Sequence, residues 1–352
     1  MPSGTRTNPK QEKDMRIEKL QFDRFRGIRD VEIKFEGDAH GGGMTLLDAG
    51  RGRSVLDAVQ IAAGTFLHWM PFVNGCKFRQ SDGEYPGVSA TFTDPEAAGP
   101  MEVSRRGFFT SDGRFLTTVR DATALKKFAD DCRRRRLYNY SDVLPLFVFN
   151  GAWRVWDWRC RYSEPESWLE KAGRLRVFED ADHPDARSNL FAQWLTDMCF
   201  TMSDHLIKKK RGSFLFKADT LALVKSFRGI MRDAVDRCLR PTGWEGLDYE
   251  FGTRALRLRH NGRKATIMDM TGNEEAVLGT VADLAARCCV LNQMQGEKAL
   301  VNTHGIVLLD WRELCAEWIP QTLDAMREVF PRIQFIVATG LESLSARTLK
   351  IR

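Results

Sequence analysis

Eight residues near the start of the chain, Leu47-Asp48-Ala49-Gly50-Arg51-Gly52-Arg53-Ser54, bring glycines, cations and a hydroxyl into one short turn. Backbone N–H groups in such a turn, leading into a helix N-terminus, can point at a phosphate. The usual pattern is GxxxxGK[ST]. Gly50, Gly52 and Ser54 keep their places, whereas Leu47 stands at the first glycine and Arg53 at the lysine. Leu47 brings a Cβ to a close backbone turn. The planar fork of Arg53 keeps the charge but is larger than an ammonium. Ser54 has a hydroxyl able to reach Mg²⁺. Far along the chain, Gly305-Ile306-Val307-Leu308-Leu309-Asp310 reads as an apolar strand ending in a carboxylate that could hold such an ion through water. An ordinary glycine-rich turn before a helix is the competing reading.

Other residues offer surfaces rather than catalysis. Arg133-Arg134-Arg135-Arg136 and Lys208-Lys209-Lys210-Arg211 are the two dense basic runs. Either can meet DNA or RNA phosphate, with affinity falling as salt rises; each can equally be a solvated helix face. The formal charge of +6 permits nucleic-acid contact without requiring it. Trp153, Arg154, Trp156 and Trp158 alternate aromatic rings with a guanidinium. That pattern stacks bases, anchors a protein partner, or packs as a junction between lobes. The Cys 8 and His 6 are scattered and form no CxxC, so buried thiols are expected and a metal centre is not.

These residues need elements to hold them. A chain of 352 residues is one large domain or two ordinary ones, and 43% hydrophobic with 28% charged residues excludes global disorder. No apolar run approaches the roughly 18 residues of a membrane span, and the polar start lacks a signal-peptide core, so a cytoplasmic protein is expected. Residues 1–14 read as a flexible N-terminus. From Met15, alternating apolar residues give two strands around the turn FRGIRD. Met44–Leu47 is a short strand, and Leu56, Val59, Ala62, Ala63 and Phe66 mark the buried face of a helix beginning at Ser54. Residues 86–120 read as further strands, 124–136 as a basic helix and Leu144–Phe149 as a buried strand. Helices are expected around 188–208, 218–239, 274–291 and 318–329. Asn261-Gly262 closes a hairpin, and Ile333–Ala338 is another buried strand.

The order strand, glycine turn, helix, with a distant strand ending in aspartate, resembles ABC-type ATPase heads of recombination and chromosome-maintenance proteins. It is more closely similar to bacterial predicted ATP-binding proteins involved in virulence, related to ATPases of anti-phage and retron-associated systems. IEKLQFDRFRGIRDVEIKF resembles that family's first strand pair, and VLDAVQIAAG its loop-following helix. VADLAARCCVLN, GIVLLD and FPRIQFIVAT resemble its signature helix, Walker B strand and final switch strand. The resemblance implies an α/β, ABC-type P-loop NTPase head with a largely helical insertion. The expected division is an N-terminal lobe at 15–120, the insertion at 121–240 and a C-terminal lobe at 241–352.

The departures from the family decide the functional expectation. Trp311 follows Asp310 where the family has the glutamate that orients water, and indole cannot do so. Gly340 stands at the switch histidine. The signature Leu-Ser-Asp-Gly aligns with Met270-Thr271-Gly272-Asn273, in which Thr271 keeps a hydroxyl and Asn273 obstructs the glycine position. Arg154 is the best match to a family arginine near nucleotide. The resemblance therefore implies a pseudo-ATPase: a regulatory or structural subunit of a bacterial defence or conflict complex. No cofactor is expected, with ATP and Mg²⁺ as what the vestigial site would take. The expected assembly is a homodimer or a stable heterologous complex, with nucleic acid as a further partner class and no membrane. A weak or partner-complemented ATPase and a DNA- or RNA-binding module on the same scaffold are the alternatives.

Overall fold

The computed structural model describes residues 14–35, 37, 42–70, 77–94, 97, 99–138, 142–151, 154–158, 173–188, 190–210, 218–250, 253 and 255–349. Strands β1 (Arg16–Phe25) and β2 (Ile28–Lys34) form a hairpin closed by Arg26 and Gly27, both at positive φ (48° and 81°). Two residues in that conformation match the right-handed twist of the strands they join. β4 (Gly87–Thr93), β5 (Met101–Phe109) and β6 (Phe115–Arg120) complete an antiparallel sheet in the order β2-β1-β4-β5-β6. Its strands alternate buried and exposed residues, as a sheet covered on one face should.

The second sheet is parallel. β3 (Gly43–Asp48), β7 (Leu146–Gly151), β13 (Gly305–Trp311), β14 (Ile333–Thr339) and β15 (Thr348–Leu349) lie in the order β15-β3-β14-β13-β7. β7, β13 and β14 are buried along their whole length, hence their mostly apolar sequences. β3 runs through a glycine turn into helix α1 (Gly52–Leu67), which packs on β13 and β14. A strand, a glycine turn and a helix, with the aspartate strand one place removed across β14, form a mixed α/β architecture with a P-loop-NTPase-like core. Register brings Asp48 beside Thr339, and Asp310 between Ala338 and Gly151. The carboxyl ends of four strands thus meet at one rim, where open α/β sheets bind ligands.

Helices α2 (Thr123–Tyr138), α3 (Leu190–Lys210), α4 (Ala218–Leu239), α5 (Gly272–Leu291) and α6 (Ile319–Val329) surround the sheets. Strands β8 (Val155–Trp156) and β9 (Arg187–Ser188) pair with each other. β10 (Trp244–Glu250), β11 (Ala255–His260) and β12 (Arg263–Thr266) make a third sheet, with Asn261 and Gly262 at the predicted hairpin turn.

Two boundaries differ from the sequence expectation. The span 121–240 is not wholly an insertion, because β7 belongs to the central sheet, where it pairs along β13. Its run Leu146-Phe147-Val148-Phe149 is apolar on both faces and must be covered on both. The expected flexible tail ends one residue early. Asp14 is buried and paired with Arg332 (Nε to Oδ1 3.0 Å), tying the chain to the start of β14; residues 1–13 lie outside the described residues. Among the described residues no helix is long and apolar enough to cross a membrane, and no cluster of His, Cys, Asp and Glu is placed to hold a metal. Cys132, Cys199, Cys238, Cys288 and Cys289 are buried thiols, and Cys315 is exposed.

Candidate functional site

The glycine turn is shaped as its sequence requires, and two of its backbone donors are met from within the chain. α1 begins at Gly52, where an added Cβ would lie 2.7 Å from the Ala338 Cβ and 3.3 Å from the Leu47 Cβ. Glycine here lets the helix start close against the sheet. The Gly50 and Arg51 N–H groups both donate to Asp48 Oδ1, at 2.8 and 3.3 Å. A carboxylate from the strand end therefore takes the place at which amides of such a turn would receive a phosphate oxygen. Ser54 sits in the first turn of α1, half-buried.

Arg53 does not project as a free cation. Its Nη1 donates to Asp310 Oδ2 at 2.8 Å, its Nε to Asp57 Oδ1 at 2.9 Å, and its Nη2 lies 3.7 Å from Asp185. The guanidinium carbon stands 5.1 Å from the centroid of the Phe149 ring. Asp310 is held from its other side by Arg312, whose Nε and Nη2 reach the two carboxylate oxygens at 2.7 and 3.0 Å. Burial alone would push the Asp310 carboxyl up; the hydrogen bonds from Arg312 and Arg53 outweigh it and hold it below the usual carboxylate range. Burial likewise works against the charge on Arg53, yet Asp57 and Asp310 outweigh it and raise its pKa. Sequence reasoning found Arg53 and Asp310 and missed Asp48, Asp57, Asp185 and Arg312. Asp57 follows Arg53 by four residues, the spacing at which side chains meet on a helix, and that was a readable signal.

The two positions that the sequence resemblance sets beside catalytic groups are tightly packed. Trp311 is 1% exposed. Gly340 lies beneath the Arg312 backbone, and a Cβ there would come within 2.7 Å of the Arg312 carbonyl oxygen. Thr271 caps α5: its hydroxyl accepts from the Glu274 N–H, while Glu274 Oε2 accepts from the Thr271 N–H at 2.8 Å and from its hydroxyl at 2.9 Å. Such a capping box satisfies donors at the N-terminus of α5 from within the chain. Asn273 is half-buried, its amide nitrogen 3.9 Å from the Cys315 sulfur.

Of the readings open for the aromatic loop, internal packing is the one seen at Arg154 and Trp156, which do not form an open partner surface: both are buried, at 4% and 8% exposure, and Trp158 is half-buried. Trp156 lies against Gly279 of α5, where a Cβ would fall 2.2 Å from the indole, and Trp158 Nε1 donates to Glu275 Oε1 at 2.7 Å. Two large rings need a flat apolar bed, and the glycine of α5 supplies it. Arg154 Nη1 donates to the carbonyls of Asp180 and His183, at 3.2 and 3.0 Å. Burial brings its pKa down to about 10, with Asp283 opposing that and Arg287 adding to it. Arg287, wholly buried, binds Asp283 at 2.6 Å and the carbonyls of Val177 and Glu179. Two arginines thus fix residues 177–183 by their backbone. That strap lays Asp182, His183 and Asp185 along a cavity of about 710 Å³ shared with Arg26, Arg53, Asp57 and Arg79. Trp153 lies outside the described residues.

The basic runs divide. Arg133 pairs with Asp130 at 2.9 Å and covers the Trp69 ring, and Arg134 pairs with Asp130 and Asp131 at 2.8 and 3.0 Å. Arg135 approaches the Cys132 sulfur at 3.9 Å. Much of this run's charge is answered by carboxylates one turn earlier on α2. The side chains of Arg136, Lys208, Lys209 and Lys210, and all of Arg211, lie outside the described residues.

No protein-family model matches this sequence. Among solved structures, the SMC head domain from Thermotoga maritima is similar over 95% of this chain and 92% of its own, at 10% identity and a TM-score of 0.44. The recombination mediator protein RecF of the RecFOR pathway is similar in two states. RecF-ATPrS has 12% identity and a TM-score of 0.39, covering 97% of each chain; RecF-ATP has 13% identity and a TM-score of 0.37, covering 96% of this chain and 97% of its own.

Proposed function

We propose that this chain is a catalytically inactive, ABC-ATPase-like subunit that works through protein contacts rather than through hydrolysis. One observation carries the reading: carboxylates of the chain itself meet several of the donors that nucleotide phosphates would need. Asp48 takes the turn amides, Asp57 and Asp310 take Arg53, and Glu274 takes the cap of the signature helix. A phosphate entering the turn would face Asp48 at once, and an ion sought by Asp310 would have to displace two guanidinium groups. ATP and Mg²⁺ do not fit this donor set as it stands. A buried ion pair is a poor source of net stability, but breaking it leaves an unpaired charge, so the closed arrangement resists opening by a ligand. Trp311 and Gly340 remove the groups that would orient water and sense the terminal phosphate.

The setting we propose, a bacterial anti-phage or conflict complex in the cytoplasm, rests on the sequence resemblance. The weak-ATPase alternative requires a partner to supply a base and a sensor while Arg53 leaves Asp310. The nucleic-acid alternative loses weight at Arg133 and Arg134, whose charges are paired. Calorimetric titration with ATP–Mg²⁺, run beside a hydrolysis assay on the purified chain, tests the reading. Neither heat of binding nor phosphate release is expected. Turnover near roughly 1 s⁻¹ that disappears in Asp310→Ala would overturn it.

A further inference from the structure

The antiparallel sheet has two edges, and only one is defended. β2 carries Arg29, Asp30, Glu32 and Lys34 in its seven residues, and Asp30 departs from strand geometry at φ 52°. Charges and irregularities of this kind discourage another strand from pairing. β6 has none before its last residue: its sequence is Phe115-Leu116-Thr117-Thr118-Val119-Arg120, rich in ring and β-branched side chains. It pairs only with β5, and among the described residues no strand lies on its other side. Leu116 is 46% exposed, and Val119 and the neighbouring Phe109 are also exposed.

Behind this edge lies a cavity of about 450 Å³, walled by β6, the end of α1 and the start of α2. Phe78, Trp69, Phe115 and Val119 give it an apolar floor. Its charged lining is of one sign: Lys77, Arg105 and Lys126, with no carboxylate among its described residues. Arg105 Nη1 is fixed on the Ile61 carbonyl of α1. Lys77 and Lys126 are exposed, and among the described residues neither ammonium meets a carboxylate. An unpaired strand edge beside a groove of this kind suits an extended peptide. The ladder supplies backbone hydrogen bonds, and side chains on alternate positions enter the groove. A basic groove with an apolar floor selects for acidic and apolar side chains.

We propose that β6 is a docking edge for an extended, acidic–apolar segment of a partner protein, which adds a strand to the sheet and places carboxylates beside Lys77 and Lys126. The inference is independent of the nucleotide site, since none of these residues touches the glycine turn. The probe is a labelled synthetic peptide of about ten residues, a strand's length, alternating valine and glutamate. A twin with lysine in place of glutamate, and a third peptide with proline at its centre, serve as controls. Fluorescence anisotropy against the full chain should show binding of the glutamate peptide alone. Hydrogen exchange should show new protection in residues 115–120 on binding. The double variant Lys77→Glu, Lys126→Glu, which alters exposed residues only, should weaken the glutamate peptide at least tenfold and admit the lysine peptide. Equal binding of all three peptides, no binding of any, protection elsewhere than β6, or a homodimer sealed through this edge in light scattering would each overturn the proposal.

Discussion

The Arg53 Nη1 donates to Asp310 Oδ2 at 2.8 Å, joining residues 257 positions apart and closing the rim of the parallel sheet from within. In a working phosphate site the cation and the carboxylate would face a ligand that lies between them. Here each is the other's ligand, and Arg312 completes the carboxylate's coordination. The closed pair holds the glycine turn and the end of β13 together without a ligand between them.

Removing Asp310 should therefore damage stability rather than turnover. Asp310→Ala leaves Arg53 and Arg312 facing each other without the anion. Both guanidinium groups are partly exposed, so a loss of about 2 kcal/mol is expected, below the usual figure for a broken buried pair. Adding Arg312→Met should recover part of it. Urea midpoints of the single and double variants measure both; unchanged stability in Asp310→Ala would show that the pairing is incidental.

On the proposed reading, a glutamate placed after Asp310 should not produce catalysis. Trp311→Glu puts a carboxylate where a fully buried indole packs, and the chain should lose several kcal/mol without gaining phosphate release. Thermal melting and a phosphate assay on the same sample decide it. A folded, hydrolysing Trp311→Glu protein would mean that Arg53 and Gly340 are no obstacle.

The contact of Trp156 with Gly279 predicts a non-additive pair. Gly279→Ala forces a methyl into the indole and should cost about 1–3 kcal/mol. In a Trp156→Ala background the same change should cost almost nothing, because the obstacle has gone. A double-mutant cycle in urea reads the difference. Full additivity would return Trp156 to the surface role that its sequence context suggested.

Stability should depend on pH through Asp94 and His304, which lie together with Asp14, Arg135 and Arg332. Burial raises the Asp94 carboxyl to about 7, with Arg135 and Arg332 opposing it and Asp14 adding to it. Its folded form keeps a proton that the unfolded chain releases, so its contribution is full at low pH and is lost as pH rises to about 7. Burial, with Arg332 and Arg135 adding to it, lowers His304 to about 3. Its contribution is present above the unfolded value of 6.5 and lost as pH falls toward 3. Asp94→Asn should thus stabilise the chain more at pH 8 than at pH 5, by on the order of 2 kcal/mol. Equal shifts in denaturant midpoint at the two values would refute the assignment.

The fold was legible because its signals are local or periodic. Largely apolar runs marked β7, β13 and β14, and Asn261-Gly262 marked a hairpin, and each stands close to where those signals put it. The glycine turn was legible by composition alone. Asp57 was readable too, four residues from Arg53 on one helix. What could not be read was the part that depends on the path of the chain: Asp48 bends back over its own turn, and Asp185 arrives by way of a strap held by buried arginines. The aromatic loop stayed open between readings for a related reason: tryptophan and arginine look the same in sequence whether a ring lies on a partner or on the chain's own Gly279.

The strap has a consequence for how this protein can change. Arg154 and Arg287 grip residues 177–183 through carbonyl oxygens, groups that every amino acid possesses. The exposed side chains of His183 and Asp185 take no part in that grip. Substitution there can rewrite the chemistry of the 710 Å³ cavity without disturbing the core. The scaffold has separated the part that must be kept from the part that selection, or an engineer, is free to vary.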